Sequence, residues 1–514
     1  MGRVGEHRRE DTMSEILLVT ANARYIHSSL GLRCLLANMG DLQPRTSIME
    51  LTLLKTAADA AEKILAQGPT ILGVGVYTWN VDLMGRVLDI VRKVQPDLKI
   101  VLGGPEVSFA SDLPDMAGYA DVIIGGEAET TFPDVCRRLL AGETPVAGFV
   151  QGSVPRLDLV QLPYSLYNPE DIANRVIYVE ASRGCPYGCQ FCLSSLDKTV
   201  RRFPLEKVLA SLGALWEQGV RRFKFVDRAL HLADTPALLE FFAARQTDGL
   251  FLHFEWVPER MPEDVLELLS GFPPGAVQLE AGIQTFTPQV ALRIDRKQDP
   301  TLAVQNMGLV LRQTGAHLHT DLVAGLPGET VHSFGASFDR LAAVRPHEIQ
   351  LGILKRLRGA PICQHETEFA MQFGAAAPYE VLQTESWSFP EMQETKRFSR
   401  YLDMLHNSGN FKETLALLFQ QIDFGSFMQL ARWLWGATGQ TSHIHLDRLA
   451  CLLFQYGSEE KGLAHADLAN ALAADWTRCG RGLLPKQLRP HITTVAQRGR
   501  PEPQALPPRQ KRHL

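Results

Sequence analysis

Cys185, Cys189 and Cys192 stand close together in ASRGCPYGCQFCLSS (181–195), with three residues in the first gap and two in the second. Thiolates at this density hold soft metals or iron–sulfur clusters. A closed zinc site needs a fourth ligand. The loop offers none, and no His occurs between His27 and His231. A [4Fe–4S] cluster held by three Cys leaves one iron open to a small molecule. Two readings stand at this point: zinc with a distant fourth ligand, or an iron–sulfur cluster with an open iron. Gly184 and Gly188 let the loop turn tightly, and Pro186 stiffens the turn after the first thiol. Cys34, Cys136, Cys363, Cys451 and Cys479 are scattered along the chain and read as small buried hydrophobes.

The elements that must hold this loop follow from periodicity. Over 175–360 strand-like runs (RVIYVEAS, RRFKFVD, LFLHFEW, AVQLEAG, AHLHTDLV, HEIQLGIL) alternate with helical stretches, which predicts a (βα)6 partial TIM barrel. The cysteine loop follows the first strand and so lies at the carboxyl end of the barrel, where barrel chemistry sits. Residues 13–150 show a second alternation, with continuous apolar runs such as EILLVTA and ILGVGVY. Such runs belong to a parallel sheet buried on both faces, and a doubly wound α/β domain is expected. Residues 151–174, rich in Pro and polar residues, read as a linker. Over 361–485 helical patterns rich in aromatics predict a helical C-terminal domain. Residues 486–514 hold seven Lys or Arg, one Glu and several prolines, the composition of a disordered basic tail.

The chain has 514 residues, 45% hydrophobic and 21% charged, with 52 basic and 57 acidic residues and a net charge of −5. That length calls for several domains, and that charge makes no case for nucleic-acid binding. No run of about 18 apolar residues occurs to span a membrane. MGRVGEHRREDTMSE at the start lacks the apolar core of a secretory signal. A cytoplasmic protein is expected, with residues 1–12 an unstructured extension.

The spacing CxxxCxxC after the first strand of a βα partial barrel resembles the radical S-adenosylmethionine (SAM) enzymes. The resemblance implies a [4Fe–4S] cluster on Cys185, Cys189 and Cys192, with SAM on the open iron. An electron from the cluster would then cleave SAM to methionine and a 5′-deoxyadenosyl radical. Phe191, inside the loop, would flank the cofactor. FKFVDRALHL (223–232) resembles the segment that contacts the SAM amino group, through Asp227. LEAGIQTF (279–286) places Glu280 and Gln284 toward its methionyl or ribose part. DLVAGLPGET (321–330) places Asp321 near the site, with a tight turn at Gly325–Gly328, and LGILKRLRGAP (351–361) should lie near the adenine. Plain alternatives remain: Asp227 as a helix cap or ion-pair partner, and Glu280 paired with a barrel cation.

The N-terminal domain is similar to cobalamin-binding domains in GVGVYTWNVD (73–82), VLGGPEVSF (101–109) and IIGGEAET (123–130). Glycines there would let the backbone approach a large flat corrin. The implied contacts are Tyr77, Asn80, Gly103, Gly104 and Glu127. The Asp-x-His-x-x-Gly motif that ligates cobalt from below is absent, and His27 is a weak substitute. Methylthiotransferases share the domain order, but they carry three further N-terminal cysteines where this chain has Cys34 and Cys136. With its helical extension, the chain most resembles cobalamin-binding radical SAM proteins with a C-terminal DUF4080 domain. The resemblance implies methylation of an unactivated carbon through cobalamin. The alternatives are a cobalamin-dependent rearrangement or cyclisation without methyl transfer, and a non-catalytic cobalamin- or redox-responsive regulator. It also implies a flavodoxin or ferredoxin as reductant, and it leaves the substrate open.

Overall fold

A computed structural model describes residues 14–143, 148–228, 233–493 and 508–513. Residues 1–12 lie outside the described residues. The N-terminal domain is a six-stranded sheet of β1 (Ile16–Asn22), β2 (Thr46–Thr52), β3 (Ile71–Gly75), β4 (Lys99–Gly103), β5 (Val122–Gly125) and β6 (Phe149–Gln151). All pairings are parallel, in the order β2-β1-β3-β4-β5-β6. β1 and β3 are buried along their whole length, because α1 (Leu30–Ala37), α2 (Ala57–Leu65), α3 (Val81–Val94) and α4 (Thr131–Leu140) cover the sheet. The strand order reverses between β1 and β3, where sheets of this kind open a ligand crevice at their carboxyl ends.

After α5 (Pro169–Asn174), the central domain is a second six-stranded sheet. It is built from β7 (Ile177–Val179), β10 (Arg222–Phe225), β11 (Phe251–Trp256), β12 (Val277–Gln284), β13 (His317–Ala324) and β14 (Glu348–Ile353). A small antiparallel pair, β8 (Ser182–Arg183) and β9 (Arg201–Arg202), brackets the cysteine loop. The six strands run parallel in chain order, and β7 and β14 are not paired with each other. The result is the expected open barrel. Its helices are α6 (Leu205–Glu217), α7 (Thr235–Ala243), α8 (Glu263–Ser270), α9 (Pro288–Arg293), α10 (Pro300–Gln313) and α11 (Val331–Ala342). Phe223, Phe225 and Phe242 fill the layer between strands and helices. Charged residues such as Lys224, His253, Glu280 and His319 alternate with these apolar positions, as period 2 requires.

The C-terminal part differs from expectation at both ends. It opens with a hairpin, β15 (Gln372–Phe373) and β16 (Val381–Gln383), before the helices begin. The helices are α12 (Phe389–Leu402), α13 (Lys412–Phe419), α14 (Phe424–Thr438), α15 (Leu446–Glu459) and α16 (His465–Arg478), with a π-helical turn at Asp403–Asn407. The basic tail does not behave as a disordered stretch throughout. Its last described residues form α17 (Pro508–His513), which docks at the amino ends of the barrel strands. Arg509 Nη2 lies 2.8 Å from Glu348 Oε2 and 2.7 Å from Asp403 Oδ1. Gln510 Nε2 donates to Gln278 Oε1 at 3.1 Å, and Arg512 Nη1 donates to Ser408 O at 3.0 Å. The physical reason is electrostatic: these basic residues meet the buried Glu348, the exposed Asp403 and carbonyl oxygens near the π turn. No helix among the described residues is long and apolar enough to cross a membrane.

Candidate active site

The cysteine loop is closed on itself and tied to the turn after α9. Cys185 N donates to Asp197 O at 2.9 Å and Gln190 N to Ile294 O at 3.0 Å. Gly184 has φ +91°, and a Cβ there would meet Thr199 O at 2.0 Å. A Cβ on Gly188 would meet Asp295 Oδ2 at 2.0 Å. Only glycine permits the first approach, to backbone at positive φ, whereas the second meets the end of a movable side chain. Cys185 and Cys189 are buried and Cys192 is partly exposed. Among the described residues, the one set of three ligand atoms mutually within 4.8 Å is Glu280, His319 and Asp321, not the thiols. Arg296 Nη1 donates to Cys189 Sγ at 3.3 Å, and the charge of Arg228 acts on Cys185 and Cys192. Burial raises the Cys185 thiol, and the Arg228 charge works against that rise. Phe191 is partly buried against the barrel core.

The remaining strand-end residues divide by environment. Asp227 is buried and accepts from Ala181 N at 3.0 Å and Ser182 Oγ at 2.6 Å. Burial raises its carboxyl to about 6 despite these donors. It therefore anchors the start of the cysteine loop to the end of β10, which is neither of the alternatives named above. Glu280 does pair with barrel cations: His253 Nε2 lies 3.0 Å away and Lys224 Nζ 3.9 Å. Burial alone would raise the Glu280 carboxyl, but His253, His319 and Lys224 outweigh it and hold it at about 2. His319 lies 3.3 Å from both Asp321 and Glu348. Those acids outweigh burial and keep its imidazole protonated up to about 10. Glu280, His319 and Asp321 thus form a charge network inside the barrel. Gln284 ends β12 at φ +70°, a conformation rare for a residue with a side chain. Its amide folds back over Gly282.

Arg228, Arg296, His253 and His319 carry no motif, and sequence reasoning missed them. Glu329 was missed as well. It is buried, accepts from Thr285 Oγ1 at 2.7 Å, and burial raises it to about 8.

A cavity of about 310 Å³ lies where the N-terminal sheet faces the cysteine loop. Tyr77, Gly103, Gly104 and Glu127 line it from the sheet side, and Glu180 and Arg183 from the barrel side. Asn80 does not line it. Its side chain donates to Thr20 Oγ1, Ala21 O and Gly75 O and accepts from Tyr77 N. Asn80 pins the turn at the switch point, and this corrects its assignment as a ligand contact. His27 Nδ1 bonds Tyr178 Oη at 2.7 Å, so its ring is committed outside the cavity. Arg183 lies 2.6 Å from Glu127, 2.7 Å from Glu129 and 2.8 Å from Glu180. Across the mouth, Arg358 reaches Glu106 at 3.0 Å and Asp112 at 2.7 Å. The sheet thus contacts the segments that follow both the first and the last barrel strand.

Three family models match the chain in sequence: a B12 binding domain over residues 16–136, the radical SAM superfamily over 179–341, and a protein of unknown function, DUF4080, over 367–495. The chain is a B12-binding radical SAM protein with a DUF4080 domain. It is 24% identical to 2-(S-pantetheinyl)-carbapenam-3-carboxylate methyltransferase of Streptantibioticus cattleyicolor, over 73% of this chain and 62% of that protein. It is 25% identical to tRNA-2-methylthio-N(6)-dimethylallyladenosine synthase of Bordetella petrii, over 49% of this chain and 54% of that protein. The chain therefore spans less than two thirds of either relative. Its fold resembles the cobalamin-dependent SAM radical enzyme OxsB with aqua-cobalamin and SAM bound, at a TM-score of 0.60 and 12% identity, over 91% of this chain and 84% of that one. In this B12-binding radical SAM protein the B12-binding model covers the glycine turns, and the radical SAM model begins just before the cysteine loop.

Proposed function

We propose that this protein is a cobalamin-dependent radical SAM enzyme that methylates an unactivated carbon. In this reading Cys185, Cys189 and Cys192 hold a [4Fe–4S] cluster, and SAM takes its open iron. The cavity beneath the glycine turns takes part of cobalamin, lined by Tyr77, Gly103, Gly104 and Glu127. One observation carries the reading: glycine turns and cysteine-loop base share one cavity, so two cofactors would meet at the barrel mouth. When bound, the cluster supplies the electron that splits SAM, and cobalamin supplies the methyl carrier.

The chain's own residues do the positioning. Arg183 ties the loop to the N-terminal domain, Asp227 fixes the strand end from which the loop departs, and Arg296 donates to Cys189. Glu280, His319 and Asp321 present fixed charges inside the barrel, where Glu280 and Asp321 face SAM or the substrate. Cys34 and Cys136 are too few for the second cysteine triad of a methylthiotransferase.

The test is anaerobic reconstitution with iron and sulfide, then incubation with cobalamin, SAM and dithionite. 5′-Deoxyadenosine together with S-adenosylhomocysteine is expected, both lost in Cys189→Ala. 5′-Deoxyadenosine alone would replace methyl transfer by the rearrangement reading. Neither product from a protein with an intact cluster would overturn the enzyme reading.

A further inference from the structure

A second cavity, of about 460 Å³, lies at the opposite end of the barrel, where α11 and the start of β14 meet the C-terminal helices and α17. Its size is that of a small-molecule site. Ala342, Leu415 and Ile422 give it apolar walls. No Asp or Glu lines it, whereas Arg345 and Lys412 do. Neither cation makes an ion pair among the described residues, although many of the chain's other arginines and lysines do. Arg345 is held at φ +59°, a conformation that is strained for a residue with a side chain.

His406 also lines the cavity. Its Nε2 is shut off from solvent and has no hydrogen-bond partner, and a buried polar atom is rarely left so. His406 sits in the π turn Asp403–Asn407, and such turns recur at functional sites. The last wall is His513 of α17, whose Nε2 bonds Asn407 O at 2.9 Å. Burial holds His347 at about 3 and His406 and His513 at about 4. These imidazoles are neutral near pH 7, so the positive charge of the wall comes from Arg345 and Lys412.

We propose that this cavity binds a small anionic amphiphile. Its carboxylate or phosphate head sits at Arg345 and Lys412, and its apolar body lies against Ala342, Leu415 and Ile422. The site is separate from the cysteine loop and from the cavity beneath the glycine turns.

The test is calorimetric titration of the cluster-loaded protein with decanoate, decyl phosphate and decanol, each below its micellar concentration. One-to-one binding of at least one anion is expected, with decanol about tenfold weaker or more. The tighter anion identifies the head group. Lys412→Ala, at an exposed position, and Arg345→Gly, which tolerates the backbone conformation, should each weaken the anion about tenfold without lowering the melting temperature. Decanol binding as tightly as the anions would overturn the proposal. So would absence of binding by all three, or affinity unchanged in both variants.

Discussion

Arg183 Nη1 lies 2.6 Å from Glu127 Oε2, joining the residue two before the first cluster cysteine to the turn that follows β5. The contact couples the two halves of the site. Glu129 and Glu180 share the same guanidinium. Burial opposes its charge, but Glu180 and Glu129 outweigh burial and raise it well above its usual value. Replacing Arg183 by Met leaves the buried Glu129 and Glu180 without their cation, while Glu127 keeps Arg201. A loss of about 3–5 kcal/mol is expected, read as a lower denaturant midpoint, with cluster iron also reduced. An unchanged midpoint would show that the acids find other partners.

Cys189→Ala should remove most of the protein-bound iron and the brown colour. Cys363→Ala should keep both, because that thiol is exposed and lies outside the loop. Iron analysis after desalting distinguishes them. Equal iron in the two variants would sink the cluster assignment.

Gly103 has room for a Cβ, its nearest contact being Ile124 O at 3.8 Å, and it lines the smaller cavity. Gly103→Leu should therefore fold and yet block that cavity. After incubation with hydroxocobalamin and desalting, the parent protein should stay coloured and the variant should not. A colourless parent would remove cobalamin from this site.

Glu329 gives a pH prediction. Its folded carboxyl titrates near 8, against 4.5 for an unperturbed Glu. The folded state holds this proton more tightly than the unfolded state, so the group weakens folding as pH rises from about 4.5 to 8. Glu329→Gln keeps an acceptor for Thr285 and cannot ionise. From pH 5 to pH 9 the parent should lose on the order of a few kcal/mol more stability than the variant, read from urea midpoints. Parallel pH profiles would show that Glu329 is not the titrating group.

Much was legible in the chain itself. CxxxCxxC fits a cluster because thiol chemistry and a short loop are local properties. Both parallel sheets were legible because continuous apolar runs alternate with helical periodicity, and that pattern also lies along the chain. Gly104 could be read because a close backbone approach, here to Val76 O, demands glycine whatever the fold. The tail could not: composition pointed to disorder, but Arg509 and Gln510 find Glu348 and Gln278 more than 150 residues away. Asn80 read as a ligand contact, and only the fold shows its amide spent on Thr20, Ala21 and Gly75. Arg296 and His319 carry no motif, since their roles depend on which strands become neighbours. Residue types and local spacing thus determined the kind of chemistry. Tertiary structure decided which charges meet inside the barrel and that the glycine turns face the cysteine loop, because Coulomb interactions and packing depend on distance in space rather than along the chain.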